Sequence, residues 1–285
     1  MGNGTELWNT LEPRREPFLK RARVASAVTI PYLLPPDGHE PGDDLADLYT
    51  SLGSKGINNL ASKLMLSLFP PDAPYFQLEP EPQALAQIPD EERVAVESSL
   101  REIENLITRD LEVRGIRTAI FEALRHLLVS GNVVLHIPDE GPPRVFGLDR
   151  FVVERTANDE VKTLLLTSTV PAGSLPSSAE TLPASLTLGS DGEQVNVITK
   201  ITRGSDEKYT ITQEIGEDET FKSTRTVSAD RLPYKVVRLN KISGEAYGRG
   251  FVDEHIGDLK TLEGLSQALV EGVALFGVVV ALLQG

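Results

Sequence analysis

The sequence predicts an α+β protein: a helical N-terminal region, an antiparallel strand-rich middle and a long C-terminal helix. Three observations carry that reading. Apolar residues recur at helical spacing up to about residue 130, fall into short strand-like runs between about 132 and 240, and return to helical spacing after residue 250. Helix and strand segments do not alternate, so no series of β-α-β units is predicted, and no internal repeat stands out. With 285 residues and 40% hydrophobic content, the chain is large and apolar enough to bury a real core.

Arg14 to Thr29 is basic and helical in pattern, and it runs into the extended Ile30-Pro31-Tyr32-Leu33-Leu34-Pro35-Pro36. Ten of the 19 prolines fall between Pro31 and Pro89, so this stretch reads as helices joined by stiff connectors. The spacing predicts a helix from an Asp43/Asp44 cap to Leu68, with Leu45, Leu48, Leu52, Ile57, Leu60 and Leu64 on its apolar side; Phe69-Pro70-Pro71 stops it. The next helix follows Pro89 and Asp90. Its stripe is Val96, Leu100, Ile103, Ile107 and Leu111, with Glu97 and Arg101 as an i,i+4 pair opposite. Between Glu79 and Glu112, ten acids stand against three bases, the composition of a solvated helix surface. A third helix, about Thr118 to Val129, buries Ile120, Phe121, Leu124, Leu127 and Leu128, and Gly131 is free to take the left-handed cap.

Strands follow. Val133, Leu135 and Ile137 alternate with Val134 and His136. Phe151-Val152-Val153 and Val161 to Thr169 flank the turn Ala157-Asn158-Asp159; Val195 to Thr199 and Tyr209 to Thr212 flank Arg203-Gly204-Ser205-Asp206. A Pro/Ser/Gly-rich loop, 171–190, separates the two hairpins, and a last strand, Lys235 to Leu239, precedes Gly244 to Gly250. The final helix runs from Val252 through Leu259, Leu265, Leu269, Val273 and Phe276 to Val280, and is apolar all round after Glu271. Its uninterrupted apolar run, Gly272 to Leu283, is too short for the roughly 20 residues of a membrane span. An apolar helix followed at once by Gln284-Gly285 reads as a chain that stops before its fold does.

Composition narrows the chemistry. The absence of cysteine excludes a disulfide scaffold, a Cys-ligated zinc site and a thiol nucleophile. The net charge of −14 opposes tight duplex binding, whose affinity comes from cations on phosphates. Gly244-Glu-Ala-Tyr-Gly248-Arg-Gly250 lies between a strand and a helix, which opens the alternative of a nucleotide-binding or enzymatic module, because helix N-termini bind anions. It has neither P-loop nor dinucleotide-fold spacing. Asp253-Glu254-His255 and Asp258 do not share a ligand-forming face, and acids there favour a helix N-terminus. His39, His126 and His136 read as structural, and no nucleophile elbow or His-Glu-x-x-His is present. No catalytic residue, cofactor or metal is therefore assigned. More informative are Gly257, Gly264 and Gly272, within roughly 80° of one side of the final helix. Each costs up to about 1 kcal/mol against alanine, and together they would admit a second helix at close range.

Several blocks resemble the portal, or head-to-tail connector, family of short-tailed bacteriophages. They are Thr29-Ile30-Pro31 with the Leu-Leu-Pro after it; Lys55-Gly-Ile-Asn-Asn-Leu-Ala-Ser-Lys-Leu-Met-Leu-Ser-Leu-Phe-Pro70; Phe121-Glu-Ala-Leu through Ser130-Gly-Asn-Val-Val-Leu; Phe151-Val-Val-Glu-Arg155; and Glu245-Ala-Tyr-Gly-Arg-Gly through Gly257-Asp-Leu-Lys-Thr-Leu-Glu263. The 171–190 loop and Glu214 to Val227 match poorly.

The resemblance implies a homo-oligomeric ring, usually of twelve subunits, assembled in the host bacterial cytoplasm and built into the virion at the capsid portal vertex among capsid and scaffolding proteins. Terminase docks on such a ring to drive double-stranded DNA through it, tail adaptor proteins replace the motor, and nothing inserts in a membrane. Residues 1–250 would form the wing and 251–285 the start of the stem helix; the clip, second stem helix and crown of the family would lie beyond. Subunit contacts would then fall to Gly257, Gly264 and Gly272 on the stem, with Tyr247 and Arg249 at its base.

Overall fold

A computed structural model of the chain describes residues 3–40, 42–71, 74–80, 89–171, 194–215 and 221–283. Five α-helices and eight strands are present among them: α1 (Gly4–Ala27), α2 (Leu52–Leu68), α3 (Asp90–Val113), α4 (Ile116–Ser130), β1 (Asn132–His136), β2 (Arg144–Phe146), β3 (Phe151–Arg155), β4 (Val161–Pro171), β5 (Gln194–Arg203), β6 (Tyr209–Ile215), β7 (Phe221–Val227), β8 (Tyr234–Arg238) and α5 (Ile256–Leu283). This is the α+β order the sequence predicts. The 172–190 part of the Pro/Ser/Gly-rich loop lies outside the described residues.

Helix α1 begins ten residues before the basic segment and passes through Pro13 and Pro17. Two long-range or local acceptors make that start possible. The Asn3 side chain accepts from the Thr5 amide at 3.3 Å, and the buried Glu214 carboxylate of β6 accepts from the Gly4 amide at 2.8 Å. A carboxylate at a helix N-terminus satisfies an orphan amide and opposes the positive end of the dipole. Further along α1, buried Arg15 donates to the carbonyls of Leu148, Asp149 and Phe151 and to Glu12, pinning the helix to the turn before β3. The Ile30–Pro36 connector is not extended throughout, because Pro31–Leu33 form a 3-10 turn.

The helix expected from Asp43 to Leu68 starts only at Leu52. Asp43 closes a local turn instead, its carboxylate accepting from the Glu40 amide at 2.9 Å while its own amide donates to the Glu40 carbonyl. The Tyr49 and Thr50 amides, which a helix would use internally, donate to Glu263 of α5 at 2.6 and 3.1 Å. Tyr49 and Thr50 thus tie the 43–51 segment to α5 as a strap.

The strands form two antiparallel sheets, ordered β2-β1-β8 and β3-β4-β5-β6-β7. Both expected hairpins are present, and Asp159 takes the left-handed conformation (φ 68°) in the first. Strand β1 does not alternate: Val133 and Val134 are both buried. Strand β3 shows why. Phe151 and Val153 join the main core with Leu164, Leu166, Ile201, Tyr247 and Leu19, whereas Val152 packs on the opposite side with Leu165 and Leu11. Covering both faces turns an alternating strand into a continuous apolar run. Each fully buried leucine here contributes about 2 kcal/mol. A second core joins α1, α2 and α4 through Ala25, Ile57, Ala61, Leu124 and Leu128, and Val252 at the root of α5 completes it.

Candidate subunit interface and the junction that carries it

Helix α5 grows from a junction of backbone packed on backbone. Helix α4 ends at Gly131 (φ 73°), where a Cβ would lie 2.1 Å from the Arg249 carbonyl carbon. A Cβ on Gly248 would meet the Gly131 oxygen at 2.8 Å, and one on Gly250 the Val129 oxygen at 2.2 Å. Only glycine permits this approach. Asn132 locks it: its side-chain carbonyl accepts from the Gly248 amide at 2.7 Å and its amide donates to the Gly248 carbonyl at 2.8 Å. Leu239 donates to the Gly131 carbonyl, and Asn240 and Arg249 exchange backbone hydrogen bonds.

Tyr247 fills the space beneath. It is 1% exposed, its hydroxyl oxygen accepts from the Val153 amide at 2.9 Å, and its ring lies 5.3 Å from Phe18. Burial pushes its phenol up to about 12, so it stays neutral. An ionic clasp closes the edge. Arg238 donates to both Asp159 oxygens at 2.5 and 2.6 Å and to the Glu245 carbonyl, Lys241 pairs with the same aspartate, and Arg155 donates to the Ala246 and Asp159 carbonyls. The Lys241 bond, with Arg238, holds the Asp159 carboxyl below its ordinary range.

This geometry assigns Gly248 and Gly250 to packing and Gly244 to a left-handed turn (φ 85°). The Gly248 and Arg249 amides, which a phosphate would need, already serve Asn132 Oδ1 and the Asn240 carbonyl. Nor does α5 follow the loop directly, because a 3-10 turn, Phe251–Glu254, intervenes. The His255 ring lies 4.9 Å from Phe251, tilted at 59° to it, and among the described residues no group of three or more His, Asp or Glu could hold a metal. His126 is 5% exposed with Nδ1 unpartnered, and burial pulls its pKa down to about 4. His136 is shifted likewise and stacks 4.2 Å from Tyr234.

Beyond its root, α5 leaves the body of the chain. Val252, Ile256 and Leu259 reach the second core, and Glu263 holds the 43–51 strap. Past them, Leu265, Leu269, Val273, Leu275 and Phe276 are exposed, the last at 73%. Around Gly257, Gly264 and Gly272 an added Cβ would meet nothing within 4 Å. Arg249 lies at the base, paired with Glu245 at 2.9 Å. The structure therefore brings Tyr247 and Arg249 into the junction and sets the three helix glycines on the projecting rod. Sequence reasoning gave Asp159 only its turn and did not find the partners of Asn132, Glu263 or Asp159, since each acts through groups far along the chain.

The family model for the bacteriophage head to tail connecting protein matches residues 3–282. The chain belongs to that connector family. Among curated relatives it is similar to the portal protein of Escherichia phage T7, 32% identical over 277 residues, covering 93% of this chain and 51% of the relative. The portal proteins of Enterobacteria phages T3 and SP6 are 32% and 25% identical over 275 and 280 residues, covering 93% and 95% of this chain and 51% and 53% of theirs. The chain thus spans about half the length of the curated relatives it matches. Connector membership fits the junction, because much of the Glu245–Glu263 block, from Tyr247 to Val252 with Ile256, Leu259 and Glu263, has a structural task around the root of α5. Among the described residues, no helix is long and apolar enough to cross a membrane.

Proposed function

We propose that this chain forms the wing (1–250) and the start of the stem helix (251–285) of a portal subunit, and that copies assemble into a ring, probed first as twelve, at one vertex of the capsid. DNA would enter and leave through the ring, with terminase and then tail adaptor proteins docking on it and capsid and scaffolding proteins around it. The observation that carries this reading is the projecting α5. A soluble chain does not expose a rod bearing Leu265, Leu269, Val273 and Phe276 without a partner for it. Small residues at Gly257, Gly264 and Gly272 let that partner be a neighbouring α5 at close range.

The role is structural rather than catalytic. A conduit passes DNA best when its wall does not gather phosphates, because each phosphate contact adds salt-dependent affinity that would slow sliding. The exposed side chains of α5 include Asp258 and Glu271 against Lys260, in keeping with the −14 charge of the chain. Duplex binding by the assembled ring is expected to be weak and salt-sensitive.

Negative-stain microscopy and sedimentation velocity test the proposal. Rings with an axial hole are expected; monodisperse monomers at all concentrations would overturn it. Gly264→Leu should weaken assembly at least tenfold while leaving the circular dichroism of the chain unchanged, and a variant that assembles normally would remove the glycines from the interface.

A further inference from the structure

We infer that, in the ring proposed above, α3 of one copy docks along the outer face of α1 of the next. Helix α3 is 24 residues long, and none of its described side chains is buried. One edge of it rests on residues 74–80 and α4, with Glu104 accepting from the Leu78 amide at 2.5 Å. A different line, Ile103, Leu106 and Val113, faces solvent, and Leu106 and Val113 are 66% and 81% exposed. Their spacing of three and seven residues places them in one row. Two acids, Glu102 and Asp110, and one exposed base, Arg109, flank the row. Glu102 makes no ion pair among the described residues, and Asp110 is 64% exposed although it lies 3.4 Å from Arg114.

The outer face of α1 has the complementary pattern. Pro13, Pro17 and Val24 form an exposed apolar row, and Arg14, Lys20 and Arg21 flank it. Arg14 and Lys20 have only loose partners, Glu154 and Glu16, each at 3.9 Å. The spacings agree as well. Arg14 and Arg21 are seven residues apart, about 10 Å along a helix, and Glu102 and Asp110 are eight apart, about 12 Å. Two α3 helices facing each other would bring together faces on which Glu102 and Asp110 outnumber Arg109, so a self-complementary contact is disfavoured. An acidic face and a basic face on one chain instead form a head-to-tail contact, the kind that closes into rings.

The inference rests on the ring reading, and a charge-reversal cycle separates the two. Glu102→Lys with Asp110→Lys should raise the concentration needed for assembly roughly tenfold, as should Arg14→Glu with Arg21→Glu; combining all four should restore most of the loss. The chain has no cysteine, so disulfide trapping has no background. Mixing Leu106→Cys chains with Val24→Cys chains under oxidation should give a cross-linked dimer that neither variant forms alone. Wild-type rings whose assembly ignores the reversals, or that yield no mixed cross-link, overturn this contact while leaving the ring standing. A wild-type chain that stays monomeric at every concentration overturns both.

Discussion

Replacing Gly131 with alanine tests the junction most directly, because Gly115 supplies a matched control at the other end of the same helix. Both glycines are left-handed, with φ of 73° and 78°. That conformation alone costs an alanine about 1 kcal/mol. Around Gly115 an added methyl meets nothing within 4 Å, so Gly115→Ala should pay only that conformational cost. At Gly131 the methyl would sit 2.1 Å from the Arg249 carbonyl carbon, 2.4 Å from its oxygen and 2.6 Å from the Gly250 nitrogen. Residues 248–250 must then retreat by more than an ångström. The move breaks both Asn132–Gly248 hydrogen bonds and the Leu239–Gly131 bond, each worth about 1 kcal/mol net. Gly131→Ala is therefore expected to lose about 3–5 kcal/mol, some 2–4 more than Gly115→Ala. Urea unfolding followed by circular dichroism, with equal slopes in the two variants, measures the difference. Equal midpoints for the two variants would refute the view that close backbone contact holds the root of α5.

Other expectations follow from the same structure. His126 is held neutral by burial, with a folded pKa of about 4 against an ordinary 6.5. The unfolded chain therefore takes up the proton first, and stability falls as pH drops from 6.5 to 4, by about 3 kcal/mol in all. Asp149 and Glu122, whose carboxyls burial raises, lean the other way. The contribution of His126 should thus be read as the difference in pH slope between wild type and His126→Phe; parallel slopes would contradict it. Glu263→Gln should weaken the two charge-assisted bonds to the strap, and hydrogen exchange at Tyr49 and Thr50 should speed up several-fold while amides in β4 keep their protection.

Elements with a local cause were legible in the sequence. Helix α4 and both hairpins carry their periodicity and turn residues with them, and Gly131 marked a helix end by itself. What escaped depends on partners distant along the chain. The first ten residues of α1 lean on Glu214, some 210 positions away, and the strap leans on Glu263. Pro13 and Pro17 lie inside α1 all the same, where the long-range carboxylate and the buried apolar face outweigh their cost. Strand β7 was missed because Lys222-Ser-Thr-Arg-Thr226 lacks an apolar alternation; it forms as an edge paired to β6, with Val227 on the main core and Arg225 on Asp139. The candidate interface was half legible. Gly257, Gly264 and Gly272 stood out as costly in a helix, whereas the junction that aims them depends on Asn132 meeting Gly248 across 116 positions.

The anchoring of α5 also sets its mechanics. The helix is clamped over its first two turns, by Val252, Ile256 and Leu259 in the core and by Glu263 on the strap; past Glu263, touched only by the Tyr49 hydroxyl at Glu271 (3.5 Å) among the described residues, it runs about 30 Å to Leu283. It is a cantilever. The clamp includes glycine backbone pressed against backbone, which has no rotamers through which to yield, so the root is stiff and the free length acts as a lever. A tilt of about 5° at the root displaces the far end by roughly 2.6 Å over that length, more than the slack in a hydrogen bond. Small rearrangements among Gly131, Asn132 and the strap are therefore read out at the tip as a change of position rather than of shape.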